Sequence, residues 1–200
     1  TGYYTGSPET DMESDLADLR NVKTEEAFVA LLEKKIVSVF TGDYFAITLP
    51  NSLANSAPRN PSWFGYCAAL NVLDAKVLFS TLHTRELFDP TADGKKKALE
   101  KHHLYPKAYL ARIGIADDRD RNQMANFAFI EWSDNIEVLD TSPAEYMKDQ
   151  LSKIAPAEKG NIYADHALPE DWEHMDYFVF LSKRRVLMAE VVKRGYERLR

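Results

Sequence analysis

Two adjacent histidines, His102 and His103, carry the clearest chemical signal in this chain. They stand in a short segment that is predicted to be extended, ahead of Pro106, and successive side chains of an extended segment point to opposite faces. The two imidazoles therefore cannot share one role: one can bind a metal ion while the other acts on a water molecule. Further along the chain, Asn126 and Asn135 offer neutral carbonyl oxygens, which suit a hard divalent cation such as Mg²⁺.

The elements around these residues follow the order strand, loop, strand, helix. Residues 98–104 and 127–132 are short segments typical of strands. Between them, Gly114 and the polar run 117–122 indicate one long loop. The motif Ser142-Pro-Ala-Glu145 is a capping box with proline at the first helical position, so it predicts a helix that runs toward residue 154.

This order is the one that a ββα-metal site requires, and the residues themselves resemble the HNH (His-Me finger, ββα-metal) nuclease fold. The segments that carry the resemblance are 102–110 (HHLYPKAYL), 126–135 (NFAFIEWSDN) and 141–146 (TSPAEY). They are similar to the C-terminal domain of GmrSD-type modification-dependent restriction endonucleases and their relatives in phage defence. The flanks 61–80 and 178–188 look like that family as well. The resemblance implies a metal-dependent DNA endonuclease (nicking) domain that hydrolyses phosphodiester bonds.

The resemblance also implies a role for each matching residue. His103 would be the general base that deprotonates a water molecule, and His102 and Asn135 would bind the metal. Asn126 matches the asparagine that braces the loop between the strands, and it completes the catalytic set with His103. Many relatives carry Asp where this chain has His102. Because nitrogen is a softer ligand than oxygen, Mn²⁺, Ni²⁺ or Zn²⁺ are alternatives to Mg²⁺, which remains the first choice.

Two roles are open for each of two further polar residues, Lys107 and Asn122. Lys107 is a catalytic candidate that would lie near the phosphate as an electrostatic partner, and an ordinary surface lysine is the alternative. Asn122 either contacts the site or caps the loop, and the loop role is slightly favoured.

The composition limits the class of protein. A chain of 200 residues with 45% hydrophobic residues is long enough for one domain, or two small ones, with a real core. The single cysteine, Cys67, excludes an intrachain disulfide framework and a thiolate zinc site within this chain. No apolar run approaches the roughly 18–20 residues that a bilayer requires, and no signal peptide opens the chain. We therefore expect a cytoplasmic protein with no membrane partner.

The net charge of −6 is unusual for a DNA-binding protein, because DNA binding depends on Lys and Arg that neutralise phosphates. The charges are unevenly distributed, however. Acidic residues cluster between residues 9 and 18, whereas basic residues cluster at 95–112 and at 183–200. A local positive face is therefore compatible with the acidic total, although the C-terminal cluster could equally be an ordinary solvated face.

Most of the remaining sequence predicts helices. The segment 24–41 has apolar residues at helical spacing, with Thr24 as the N-cap and Gly42 as the stop. Its periodic Phe, Leu and Val side chains are expected to be core. Further helices are predicted at 11–21, at 61–73, from residue 84 to before Pro90, and at 182–199.

These elements predict an α+β fold that is mainly α-helical, with a helical subdomain around a small ββα-metal (HNH) nuclease core. The expected divisions are a linker at 1–10, a helical subdomain at 11–97, the nuclease core at 98–150, and a C-terminal helical extension at 151–200 that packs on the core.

Three functions remain open from the sequence. The first is a DNA endonuclease that acts as the C-terminal effector of a larger restriction or phage-defence protein. Its expected partners are DNA and an N-terminal ParB/Srx-like sensing domain, whose Asp-Gly-Gln-Gln-Arg motif does not occur in this chain. The second is a catalytically silent DNA- or partner-binding module of the same fold, and the third is an RNase or toxin. The intact set of His102, His103 and Asn135 favours the first, because a relic would be free to lose it.

Overall fold

The computed structural model of this protein describes residue 4 and residues 6–57, 59–88, 100–130 and 141–200. Over these residues the fold is mainly helical and contains a two-stranded sheet, so the coarse prediction of a mainly α-helical α+β fold is confirmed. The elements, in chain order, are α1 (Pro8–Leu19), α2 (Glu25–Val39), α3 (Leu49–Ser52), α4 (Pro61–Val72), α5 (Thr84–Phe88), β1 (Glu100–His103), α6 (Lys107–Arg112), α7 (Asp118–Arg121), β2 (Phe127–Ile130), α8 (Pro143–Ser152), α9 (Pro156–Asp165) and α10 (Tyr177–Arg198).

The starts of the long helices are set by local side-chain caps. The Thr24 hydroxyl accepts a hydrogen bond from a backbone N–H of the first turn of α2, and the Asn60 side chain accepts two at the start of α4. Ser142 and Glu145 form both hydrogen bonds of the predicted capping box at the start of α8. These caps satisfy backbone donors that have no partner inside the helix. The predicted starts of α2, α4 and α8 are therefore confirmed.

Several predicted boundaries are wrong. Helix α1 begins at Pro8, inside the expected linker 1–10, because proline suits the first helical turn. Gly42 does not end α2, which stops at Val39; the chain turns helical again at Gly42 and continues through a π-helical segment at Tyr44–Thr48 into α3. Helix α10 begins five residues before the predicted 182, where the Asp176 carboxylate caps it.

The sheet is short and antiparallel. β1 pairs with β2 so that His102 lies opposite Ala128 and His103 lies opposite Phe127. The connection between the strands is not the long loop that the polar run indicated, because α6 and α7 form within it and a 3₁₀ turn at Met124–Asn126 precedes β2. The connection is thereby folded back onto the strands, which brings distant polar residues next to β1.

The main core cluster connects the two strands to the long C-terminal helix. Helix α4 packs along α10, and a Cβ on Gly195 would come within 2.8 Å of the Cβ of Ala69, so this crossing requires glycine. Arg184 of α10 is completely buried. Its guanidinium donates hydrogen bonds to the backbone carbonyls of Ala125 and Phe127, each at 2.8 Å, and to the carbonyl of His166. A buried cation whose donors are met by carbonyls holds β2 against α10.

The expectation that the apolar stripe of α2 is core is wrong. Neither α1 nor α2 contains a buried residue, and Phe28, Leu32 and Ile36 are 43%, 41% and 37% exposed. Helical periodicity shows that a helix has an apolar face, but it does not show what covers that face. Among the described residues, no helix is long and apolar enough to cross a membrane.

Candidate active site

The two histidines of β1 lie in different surroundings. His102 is buried, at 5% exposure, and its ring stands edge-on to the ring of Tyr146, with 6.2 Å between centroids. His103 is half-buried, and its ring lies against the ring of Phe127, with 4.6 Å between centroids. Because neighbouring residues of a strand point to opposite faces, only His103 belongs to the face formed with Phe127 and the strand connection.

Asn122 fixes the orientation of the His103 ring. The Nε2 atom of His103 lies 3.1 Å from the Oδ1 atom of Asn122. An amide oxygen only accepts hydrogen bonds, so Nε2 must carry the hydrogen and Nδ1 keeps the lone pair. Asn122 is also the C-cap of α7, so it occupies a cap position, as the favoured interpretation expects, and contacts His103 as well.

The pKa of His103 is lowered from its ordinary value, mainly by burial. The hydrogen bond to Asn122 opposes this shift, whereas the positive charges of Lys107 and Arg121 add to it. Burial and nearby cations both penalise the imidazolium form. Both effects favour the neutral imidazole, which is the form that can accept a proton at Nδ1.

Asn126 is completely buried and binds backbone rather than any reacting group. Its Oδ1 atom accepts a hydrogen bond from the N–H of Tyr105 at 2.8 Å, and its Nδ2 atom donates to the carbonyls of Tyr105 and Arg121, each at 3.1 Å. One side chain thus ties the end of β1 to the end of α7. Asn126 is a positioning residue, as the bracing role implied, and it holds the segment that carries Asn122.

The charges of two cations, Lys107 and Arg121, act on His103. Lys107 opens α6 and its side chain is 42% exposed. Arg121 ends α7 and its side chain is 19% exposed, and the charges of both reach the imidazole. The sequence singles out Lys107 as a candidate, whereas it does not single out Arg121. The signal was present, since Arg121 directly precedes Asn122, but it was hidden in a polar run that was interpreted as loop.

The predicted metal site is only partly placed. His102 is described, whereas Asn135 and the basic residues 95–97 lie outside the described residues. The described part of the chain contains no group of three or more His, Cys, Asp or Glu side chains that could hold a metal ion. One imidazole and one amide oxygen are nevertheless a donor set that fits a divalent ion which keeps water and substrate phosphate as its other ligands.

Comparison of the chain with protein-family models, curated proteins and solved structures gives no match. The resemblance to HNH nucleases therefore stays a prediction, and a functional proposal has to rest on the geometry around His103.

Proposed function

We propose that this chain is a metal-dependent DNA endonuclease domain of the HNH type, in which His103 is the general base. The observation that supports the proposal most strongly is the set around His103. A neutral imidazole, oriented by Asn122, stands beside two cations on a segment that Asn126 braces. Phosphodiester hydrolysis needs these two capacities together, a base for water and positive charge for the phosphate.

In this mechanism a water molecule lies against Nδ1 of His103, which takes its proton as the water oxygen bonds to phosphorus. One P–O bond to a sugar oxygen breaks in the same displacement, and the leaving sugar oxygen takes a proton from solvent. The proton on Nε2 stays with the hydrogen bond to Asn122, whose oxygen stabilises the imidazolium that forms. Lys107 and Arg121 face the negative charge that builds on the phosphate oxygens. A fixed ring orientation matters because proton transfer requires the base within hydrogen-bonding reach of the water.

A divalent metal completes the proposal. His102 and Asn135 would hold it, with Mg²⁺ as the first choice and Mn²⁺, Ni²⁺ or Zn²⁺ as alternatives. When bound, such an ion acts as a Lewis acid on a phosphoryl oxygen. His102 is buried against Tyr146 on the other face of β1 from His103, so its ligand role rests on the resemblance alone.

The resemblance extends the proposal to the biological setting. The domain would be the C-terminal effector part of a cytoplasmic restriction or phage-defence protein, with DNA as substrate. A ParB/Srx-like domain would sense modified DNA and control the nuclease. The acidic total charge agrees with a nuclease domain that depends on another domain for DNA recognition, since a domain of net charge −6 should bind DNA weakly on its own.

A plasmid-nicking assay tests the proposal. Supercoiled plasmid is incubated with the purified chain in Mg²⁺, in Mn²⁺ and in EDTA, and relaxed product is measured. We expect weak nicking that requires metal and shows little sequence preference. DNA binding without nicking in any metal would instead favour the catalytically silent binding module, and cleavage of RNA alone would favour the RNase.

A further inference from the structure

Asp118 is the acidic side chain that the two cations of the candidate site share. Its Oδ1 atom lies 2.9 Å from an Nη atom of Arg121 and 3.8 Å from the Nζ atom of Lys107. The carboxylate itself is 73% exposed, whereas the Arg121 side chain is 19% exposed. An exposed anion therefore pairs with the two cations whose charges act on His103.

Arg121 has a hydrogen-bond donor that Asp118 does not contact. Its Nε–H is buried and finds no hydrogen-bond partner among the described residues. A buried donor without a partner costs free energy, so it favours any acceptor that can reach it. A guanidinium can bind a phosphate through two parallel N–H donors, and Nε–H with one Nη–H is such a pair.

The backbone at Arg121 is fixed by hydrogen bonds, whereas its guanidinium is hydrogen-bonded to the exposed carboxylate of Asp118. The Nδ2 atom of Asn126 donates to the Arg121 carbonyl at 3.1 Å, and the hydroxyl of Tyr177 donates to the carbonyl of Asp120 at 2.7 Å. The guanidinium can thus exchange one oxygen ligand for another without a change in the chain path. Exchange is easy on the side of Asp118, because a carboxylate that is 73% exposed gains little free energy from its ion pairs.

We propose that Asp118 is an internal substitute for the substrate phosphate: its carboxylate occupies Arg121 and Lys107 until a phosphodiester group displaces it. This inference rests on the proposed function, because it assigns the phosphate-binding side of the same site. The displaced state frees an Nη donor of Arg121 and the ammonium of Lys107 for the phosphate oxygens, and the buried Nε–H joins them when the guanidinium turns toward the phosphate. Asp118 then lowers the affinity of the domain for any phosphodiester, whatever its sequence.

The test measures DNA binding separately from cleavage. Fluorescence anisotropy with a short labelled duplex in EDTA reports the Kd of the wild type and of Asp118→Asn. We expect the variant to bind about two- to fivefold tighter, the size that an exposed ion pair can supply. Asp120→Asn is the matched control, since it removes the same charge two positions away and should change the Kd less.

A double-mutant cycle decides whether the effect passes through the two cations. In the background Lys107→Gln with Arg121→Gln, Asp118→Asn should no longer tighten binding. Equal effects of Asp118→Asn and Asp120→Asn, or an effect that persists without the cations, would overturn the proposal and indicate general repulsion of DNA.

A titration that needs no nuclease activity separates this inference from the proposed function. Addition of inorganic phosphate to ¹⁵N-labelled protein should shift the Nε–Hε resonance of Arg121, at lower phosphate concentration in Asp118→Asn than in the wild type. A shift without plasmid nicking would support the phosphate site and contradict the nuclease. Plasmid nicking, combined with an Arg121 resonance that phosphate does not shift in either protein, would support the nuclease and contradict the phosphate site.

Discussion

Replacement of Asn126 by Ala should destabilise the fold severely, because Asn126 joins β1 to the end of α7 from a completely buried position. The change removes three hydrogen bonds, of 2.8, 3.1 and 3.1 Å, two of them to the backbone of Tyr105. A buried backbone group left without a partner costs about 1–3 kcal/mol. The Arg121 carbonyl keeps a contact of 3.4 Å with the hydroxyl of Tyr177, so its loss is smaller. We therefore expect a loss of about 3–6 kcal/mol.

Urea unfolding followed by circular dichroism measures this loss as a fall in the midpoint at unchanged slope. Asn122→Ala is the matched control, because it deletes the same amide from a half-buried position whose partner is a side chain, His103. It should cost less than about 1 kcal/mol of stability and yet reduce nicking, since the ring of the base is no longer oriented. Equal midpoints for the two variants would refute the assignment of Asn126 as the brace.

Three further predictions concern other residues. Burial lowers the pKa of His166 from 6.5 to about 4, because the folded chain disfavours the imidazolium form that the unfolded chain accepts. The contribution of neutral His166 to the free energy of unfolding is therefore complete above pH 6.5, and about 3 kcal/mol of it is lost as the pH falls to 4. Urea unfolding across this range should show a steeper decline for the wild type than for His166→Gln, and equal declines would contradict the assignment. Asn135→Ala should raise the metal concentration needed for half-maximal nicking, and a metal titration that overlays the wild-type curve would exclude Asn135 as a ligand. Ser142→Ala removes both bonds that its hydroxyl makes with Glu145 and should cost about 1 kcal/mol in thermal or urea unfolding, against no change for the exposed His174→Gln.

Local features of the fold could be predicted from the sequence because their causes are local. Thr24, Asn60 and Ser142 cap backbone groups two or three residues away, so their positions alone fix where α2, α4 and α8 begin. The strand positions of His102 and His103 follow from the same kind of short-range pattern. The packing partner of a helix face depends on residues that are distant in the sequence, so it could not be predicted in this way. The exposed apolar face of α2 is the clearest example.

The interior of the candidate site could be predicted only in part. Asn126 was found because a resemblance supplied its role, whereas its three backbone partners became visible only in the fold. The contact between His103 and Asn122 joins residues 19 positions apart, and the contacts from Arg184 to β2 span more than fifty. Such contacts depend on how α6, α7 and α10 pack, which no periodicity in the sequence encodes.

The central claim is that His103 is the general base of a metal-dependent nuclease, and His103→Ala tests it most directly. Nicking of supercoiled plasmid is measured in Mg²⁺ and Mn²⁺ beside the wild type, with His174→Ala as an exposed-histidine control. Urea midpoints and DNA binding in EDTA confirm that each variant is folded and binds. We predict a loss of about 10²–10⁴-fold in nicking rate for His103→Ala alone, the contribution typical of a general base. Near-normal nicking by a folded, metal-loaded His103→Ala would contradict the account.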